Sequence, residues 1–526
     1  MNDVQTSIRI CLIDVKVPYS YGGTPLNLLS LGSYLVERGV LPEKNIKIIN
    51  STNIHSVEYI TQFKPDIIGL SVVTPAFPYA LKLASLLKKK LHPVIIIGGH
   101  HITGIPELFD EPFDAGVIGE GEGALEDIIR LIQNGKSLTP SRMSLIPNLV
   151  YKDTKGTIVK NPMRPLLKPE AIPSYQWSLL EPEEIVQYET VVENGKARTT
   201  LGAPIFSSRG CPYQCVFCAR TVIWKTGKAF RLLPMDHVMA DIEYLYRKLH
   251  ITSLWIYDDT FAVSKERIRQ LIQALKKKGI LGNIVLPQVF VRANLIDEEF
   301  VQLLKELGVL TVFMGVESGS RRILKYLKND SLQVFQVKNA VKLFAKYDIR
   351  IVGSFMLFVP GEKPADLDKT YQLASWLAHE PNAQAIGMYI TVPFPGTRLW
   401  EDSVIKNKID ITSLQWKNFV TYHSQKSIAN LVFFRNGFTN KQLDNYWGRM
   451  YKQMDYVDKH ISSLPGWKES KKEVELFNAR RVAWLEMKYR FNRIIHNPSR
   501  LMSRIGSGHV WKYVVKDIRR ITRIRP

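Results

Sequence analysis

Cysteine is scarce in this chain, with four residues among 526. That excludes a disulfide framework, because disulfide-stapled chains are short and cysteine-dense. Long apolar runs are missing as well. "PVIIIGG" and "IVGSFMLFVPG" fall far short of the roughly 20 residues that span a bilayer, so both read as buried strands. The start, "MNDVQTSIRICLIDV", carries Asp3 and Asp14 and no secretory apolar stretch. Acidic residues are in deficit: 49 Asp and Glu stand against 71 Lys and Arg, for a net charge of +22. From Arg480 to Pro526 there are 13 basic residues and two acids, Glu486 and Asp517. Such a tail suits nucleic acid, anionic lipid or an acidic partner, and equally a solvated basic surface. No GxGxxG follows the first predicted strand and no GxxxxGK[ST] occurs, so neither a dinucleotide fingerprint nor a phosphate loop is present.

What is there reads as three α/β or helical regions joined by a linker. Residues 8–135 alternate strand and helix. "IRICLIDV", "NIKIIN", "DIIGLSVV", "VIIIGG" and "AGVIGE" read as strands, with helices between and after them. Continuous apolar strands joined by helices imply a parallel sheet covered on both faces, with ligands at the strands' carboxyl ends. "IPNLVYKDTKGTIVKNP" reads as a hairpin and "NPMRPLLKPEAIPSYQW" as a surface linker. From about 203 to 397 six strand–helix units follow, which close into a barrel or part of one. The rest is helical in pattern. The expected division is 1–140, a doubly wound Rossmann-like unit; 141–200, a linker with a hairpin; 201–400, a partial (β/α)6 barrel; and 401–526, a helical basic region.

Three of the four cysteines lie in "SSRGCPYQCVFCAR", as Cys211, Cys215 and Cys218. A structural zinc wants a fourth ligand and usually a second CxxC pair, which is absent. A redox pair from Cys215 and Cys218 leaves Cys211 unexplained. A [4Fe-4S] cluster held by three thiolates fits better, and it leaves one iron open to substrate or cosubstrate. Cys11 lies within the first strand and reads as a buried, inert thiol.

CxxxCxxC with Phe217 before the last cysteine, on the loop after the first barrel strand, resembles the radical SAM superfamily. The resemblance implies that the open iron chelates S-adenosylmethionine, whose reductive cleavage gives a 5′-deoxyadenosyl radical. It implies that Phe217 lines the adenine side. The family often has Gly-Gly-Glu at the end of the second strand; here stand Tyr257, Asp258 and Asp259, with Asp258 the candidate contact. Glu317 in "GVESGS" resembles the residue that faces the cosubstrate. Arg292 in "VRAN" and Ser354 in "GSFM" lie at comparable strand ends. Each of these also reads as a polar residue capping a strand.

"SRGCPYQCVFC", "GVESGS", "VPGE" and "PFPGT" together resemble the branch that carries an N-terminal cobalamin-binding domain and includes class B methyltransferases and the anaerobic tetrapyrrole ring cyclase. The strand-end loops "GLSVVT", "GGHH" and "GEGEG" fit such a domain, with Ser71, Thr74, Gly98, Gly99, Glu120 and Gly121 as implied corrin contacts. The Asp-x-His-x-x-Gly loop of many cobalamin domains is absent: "DVKVPYSYGG" has no histidine. The resemblance therefore implies base-off cobalamin without a protein histidine on cobalt, and neither His100 nor His101 is assigned that place. The implied reaction is methylation of an unactivated carbon. The alternatives are oxidative cyclisation or carbon–carbon bond formation on a tetrapyrrole or lipid, and, from another class, RNA modification or binding. No RNA-recognition motif or KH loop is present, which disfavours the last. Implied partners are a small-molecule or lipid substrate and an electron donor such as flavodoxin or ferredoxin. The basic tail is a candidate for peripheral membrane contact, which makes the expected location cytoplasmic or membrane-surface.

Overall fold

A computed structural model describes residues 8–17, 23–50, 54–220, 230–261, 263–421 and 428–478. The basic tail from Arg480 lies outside the described residues.

The front sheet has seven strands: β1 (Ile10–Asp14), β2 (Ile46–Ile49), β3 (Ile67–Ser71), β4 (Val94–Gly98), β5 (Ala115–Val117), β6 (Leu149–Lys152) and β7 (Ile158–Lys160). Their order is β2-β1-β3-β4-β5-β6-β7, and the first five run parallel. The strands are short apolar runs because helices cover both faces; Ile10, Leu12, Ile67, Ile95 and Ile97 are buried. Chain direction across the sheet reverses beside β1, since β2 lies to one side and β3 to the other. Open α/β sheets bind ligands at such a switch point, outside the carboxyl ends of the strands. The helices are α1 (Leu26–Glu37), α2 (Ile54–Phe63), α3 (Phe77–Leu91), α4 (His100–Gly104) and α5 (Glu122–Gln133).

The hairpin expected within the linker forms at "DTKG", where Asp153 Oδ1 accepts from the amides of Lys155 and Thr157, both at 2.8 Å. It adds β6 and β7 to the front sheet by antiparallel pairing of Gly116 with Val150. The segment after it is stitched to both flanking units. The Gln176 amide donates to Ser33 Oγ of α1 at 2.7 Å. The Tyr175 amide and the Trp177 indole donate to Asp241 Oδ1 on the helix Met235–Leu249, at 2.8 and 3.0 Å.

A second hairpin follows, β8 (Gln187–Glu193) against β9 (Lys196–Ile205). Its turn is Asn194-Gly195, both at positive φ, the conformation a tight two-residue hairpin requires. A short ribbon, β10 (Ser208–Arg209) with β11 (Arg231–Leu232), brackets the cysteine segment. The remaining strands are β12 (Ser253–Ile256), β13 (Val289–Val291), β14 (Thr311–Glu317), β15 (Arg350–Leu357) and β16 (Ala383–Ile390).

β12 pairs parallel with β9, and β13 to β16 form a parallel four-stranded sheet. The bridges Ser253–Val285 and Leu286–Val309 join the two sheets into one curved wall of six parallel strands. "IVLPQVFVRA" reads as one continuous strand, but only Val289–Val291 is ladder-paired there; Pro287 has no amide to donate. Helices Met235–Leu249, Lys265–Lys277, Glu298–Glu306, Val334–Lys346 and Pro364–Ala378 cover the outside. Beyond the barrel, residues 401–421 form a π-helical turn, Glu401–Ile405, and two 3-10 turns, Ile411–Ser413 and Trp416–Asn418. The 23-residue helix Asn440–Ser462 then packs Trp447, Met450 and Val457 into the core.

Candidate functional site

The cysteine loop leaves the ribbon at the carboxyl end of β9, on the barrel rim where side chains for chemistry collect. It is held at several points. Asp258, just past β12, accepts from the Ser207 amide at 2.7 Å, from Ser207 Oγ at 2.6 Å and from the Ser208 amide at 3.0 Å. Both its oxygens are thus taken by the loop's root, which leaves them directed at protein and not at a cosubstrate. Further along, the Val216 amide donates to the Leu327 carbonyl at 3.1 Å, and the Leu399 amide donates back to the Val216 carbonyl at 2.9 Å. Val216 sits in a small apolar cluster with Ile323, Leu327, Met356 and Val359, and Phe217 packs on its edge.

The three cysteines share one short loop. The Cys218 amide donates to the Cys215 carbonyl at 3.1 Å, and Cys211 Sγ is 3.2 Å from Thr260 Oγ1. Burial pushes the Cys218 thiol up to about 11 and raises Cys211 too. Iron must therefore displace protons as it binds. Among the described residues no three His, Cys, Asp or Glu side chains converge on a single ion. A cubane does not need that, since each thiolate takes a different iron and the three surround the cluster. The donor set and its single loop fit a [4Fe-4S] group held by Cys211, Cys215 and Cys218.

Other barrel candidates gather round this loop. Arg292 Nη1 donates to Cys215 Sγ at 3.3 Å, its guanidinium lies over the Tyr213 ring at 3.7 Å, and Nη2 reaches Ser331 Oγ at 2.8 Å. Glu317, at positive φ where β14 ends, is paired with Lys328 at 2.8 Å. Lys328 in turn lies 5.5 Å from the Phe217 ring centroid. Ser354 is in register with Gly315 and Gly387 on its two neighbours, a row of small side chains across the barrel wall. Asp259, next to the pinned Asp258, pairs through Oδ1 with Arg220 at 3.1 Å, while its buried Oδ2 has no hydrogen-bond partner among the described residues. Asp259, Thr260 and Lys328 were not singled out in the sequence. Asp259 lies in the very triplet that replaces Gly-Gly-Glu, but only the fold shows which of two adjacent carboxylates is committed elsewhere.

In the front sheet the strand-end residues cluster as the topology requires. Ser71 ends β3, pairs in register with Gly98 and accepts from Asn27 Nδ2 at 2.8 Å. Gly99 has φ +95°, and a Cβ there would lie 2.7 Å from the Val72 amide nitrogen, so only glycine lets the two loops close together. Thr74 is buried in a turn, and beside it Val73 is 46% exposed. An apolar tip over open backbone is a surface on which a flat macrocycle can lie, so these loops fit a corrin. His101 is wholly buried against Phe77, with ring centroids 4.1 Å apart, and edge-on to Trp416 at 5.2 Å. Burial lowers its pKa to about 3, while His100 beside it is exposed. Glu120 departs from the other loop residues. It is turned toward the barrel, where Arg209 and Arg231 grip it. Gly121 precedes α5, and a Cβ there would meet Leu31.

Two family models match: the radical SAM superfamily over residues 205–374 and the B12-binding domain over residues 15–129. An uncharacterized methyltransferase of Pyrococcus horikoshii is 28% identical over 439 residues, covering 82% of this chain and 87% of the relative. The anaerobic magnesium-protoporphyrin IX monomethyl ester cyclase of Rubrivivax gelatinosus is 26% identical over 372 residues, 69% of this chain and 62% of the relative. Among solved structures, the cobalamin-dependent S-adenosylmethionine radical enzyme OxsB with aqua-cobalamin bound superposes with a TM-score of 0.65. It is 17% identical, with 91% of this chain and 72% of that one covered, a likeness of fold.

Proposed function

We propose that this chain, which carries a radical SAM domain and a B12-binding domain, transfers a methyl group to an unactivated carbon of a small-molecule or lipid substrate. A methyltransferase-named relative aligned over most of both chains supports this reading. The observation that carries it is the apposition of two carboxyl-end rims. The front loops after β4 and β5 lie directly against the barrel. Gly104 of α4 abuts the Pro395 carbonyl of "PFPGT", and Glu120 meets the root of the cysteine loop.

When bound, the cluster with S-adenosylmethionine and cobalamin supplies a 5′-deoxyadenosyl radical and a methyl donor. The chain's own residues do the rest. Cys211, Cys215 and Cys218 hold the cluster on a loop that Asp258 fixes at its root. Arg292 places a positive charge and a donor on the Cys215 sulfur, which favours the reduced cluster. Asp259 Oδ2, buried and unpartnered, is placed to accept from the ammonium of the cosubstrate, a role the sequence suggested for Asp258. Glu317, Ser354 and Phe217 would line the cosubstrate side of the loop. Ser71, Thr74, Gly98, Gly99 and Gly121 form the rim for the corrin, with no histidine from the first loop to reach cobalt. On this reading the functional units are residues 1–140 for the corrin, a linker over 141–200, 201–400 for the radical chemistry and 401–526, the basic region that the sequence pattern predicts to be helical.

The test is anaerobic reconstitution with iron, sulfide, cobalamin and S-adenosylmethionine, followed by absorption spectra and mass spectrometry of the nucleoside products. Brown cluster, bound corrin and release of both 5′-deoxyadenosine and S-adenosylhomocysteine are expected. Retained activity after replacing any one of the three cysteines with alanine would overturn the proposal. The cyclase relative favours a second reading, oxidative ring closure. Product mass separates the two, since methylation adds a methyl group and cyclisation removes hydrogen.

A further inference from the structure

Two arginines stand opposite each other on the ribbon that brackets the cysteine segment: Arg209 of β10 pairs in register with Arg231 of β11. Both reach out of the barrel to the front domain. Arg209 Nη1 donates to Glu120 Oε1 at 3.1 Å, and its Nη2 donates to Glu122 Oε1 at 2.7 Å and to Ser30 Oγ at 2.5 Å. Arg231 Nη1 donates to Glu120 Oε2 at 3.1 Å and to the Leu167 carbonyl at 2.7 Å. The Leu167 amide closes the ring on Glu120 Oε2 at 3.2 Å. The side chains of Arg209, Arg231 and Glu120 are only 18, 11 and 16% exposed.

The placement has a mechanical consequence. Arg209 lies two residues before Cys211, and Glu120 lies at the carboxyl end of β5, on the same rim as Gly98 and Gly99. A forked guanidinium held by two carboxylates has far less positional freedom than a single-point contact. Ser30 sits on α1 and Glu122 opens α5, so the grip reaches two helices of the front domain as well as the loop.

We propose that Arg209 and Arg231, closed on Glu120 and Glu122, act as positioning residues that fix the separation between the cluster loop and the corrin rim. The inference rests on the cofactor assignment given above. A methyl donor and a substrate radical must meet within a fraction of an ångström of the reactive geometry, so a rigid spacer between the two cofactor seats serves the chemistry directly.

The test reads distance and not turnover. The full-length holoprotein is loaded with cobalamin and cluster, then reduced with dithionite to cob(II)alamin and [4Fe-4S]+, both paramagnetic. Their spin–spin coupling is measured by electron paramagnetic resonance in the wild type and in Arg209→Lys, Arg231→Lys and Glu120→Gln. In variants loaded to wild-type content, the coupling is expected to weaken or spread over a range of distances. A coupling unchanged at full loading overturns the inference. So does loss of loading in all three, because the network would then serve folding alone. If the wild type takes up no corrin or no cluster, it is the cofactor assignment that fails, which is a distinguishable result.

Discussion

Glu317 and Lys328 form an ion pair of 2.8 Å with side chains 7 and 6% exposed, one at the end of a barrel strand and the other at the end of the helix Arg321–Lys328. Gly315, two residues before Glu317, leaves the room the pair occupies; a Cβ at that position would run into both Glu317 Oε1 and Lys328 Nζ. Lys328 also faces the Phe217 ring. The pair therefore joins the fourth barrel strand to the cysteine loop. Removing Lys328 alone leaves a buried, unpaired carboxylate, which typically costs about 3–5 kcal/mol. Lys328→Met is expected to lower the denaturation midpoint strongly, and Glu317→Gln in the same chain to recover part of the loss. A single variant as stable as the wild type would show that the pair is not needed.

Arg292 gives a redox prediction. Its Nη1 donates to Cys215 Sγ at 3.3 Å, and donors and positive charge at a cluster sulfur stabilise the reduced state. Arg292→Met is expected to shift the cluster midpoint potential downward by tens of millivolts while iron content stays the same. Redox titration followed by electron paramagnetic resonance measures it, and an unmoved or raised potential contradicts the account.

Gly99→Ala probes the corrin rim. The residue adopts φ +95°, and the new Cβ would press on the Val72 backbone at 2.7 Å from its nitrogen. A backbone at φ +95° and ψ −171° is essentially reserved to glycine and costs other residues about 1–3 kcal/mol. The loops after β3 and β4 should separate, and cobalamin retention after gel filtration should drop while cluster absorbance persists. Equal corrin retention would remove Gly99 from the site.

Glu189 of β8 predicts a pH dependence. Its Oε1 accepts from Ser253 Oγ and from the Trp255 indole, at 2.7 and 2.8 Å. Burial outweighs these donors and raises its pKa from 4.5 to about 7. The folded state thus holds this proton more tightly than the unfolded chain does. Stability from this group is present below about pH 4.5 and is lost as the pH rises to about 7, by on the order of 3 kcal/mol. Glu189→Gln should gain on the wild type between pH 5 and pH 8 in denaturant melts. Parallel curves would refute the assignment.

The basic tail carries a membrane prediction. No helix among the described residues is long and apolar enough to cross a bilayer. Residues 480–526 combine 13 basic residues with aromatics in "VAWLEMKYRFNRIIH", a composition suited to an anionic lipid surface. Liposomes containing phosphatidylserine are expected to float the full chain and not one ending at residue 479. Equal flotation of the two discards a membrane role for the tail.

Much of the architecture was legible because it rests on short-range signals. Apolar runs of four to eight residues read directly as the strands. The second hairpin went unread although "ENGK" carries an Asn-Gly turn, because the strands around it are polar and alternate weakly. The break at Pro287 went unread as well, although a residue without an amide cannot continue a ladder.

The three cysteines and their spacing could be read from the sequence alone, because ligands on one loop are close in space whatever the rest of the chain does. So could the absence of a histidine from the first front loop. Which carboxylates stay open for chemistry is a different matter. Asp258 and Asp259 are neighbours in sequence, yet Ser207 and Ser208 take up the first and leave an oxygen of the second bare. Glu120 read as a corrin contact in a glycine-rich loop, but a barrel arginine 89 positions later closes on it. Partners so far apart in the chain leave no periodicity to detect. Their pairing is settled only when two separately folded sheets dock and buried charges must find one another.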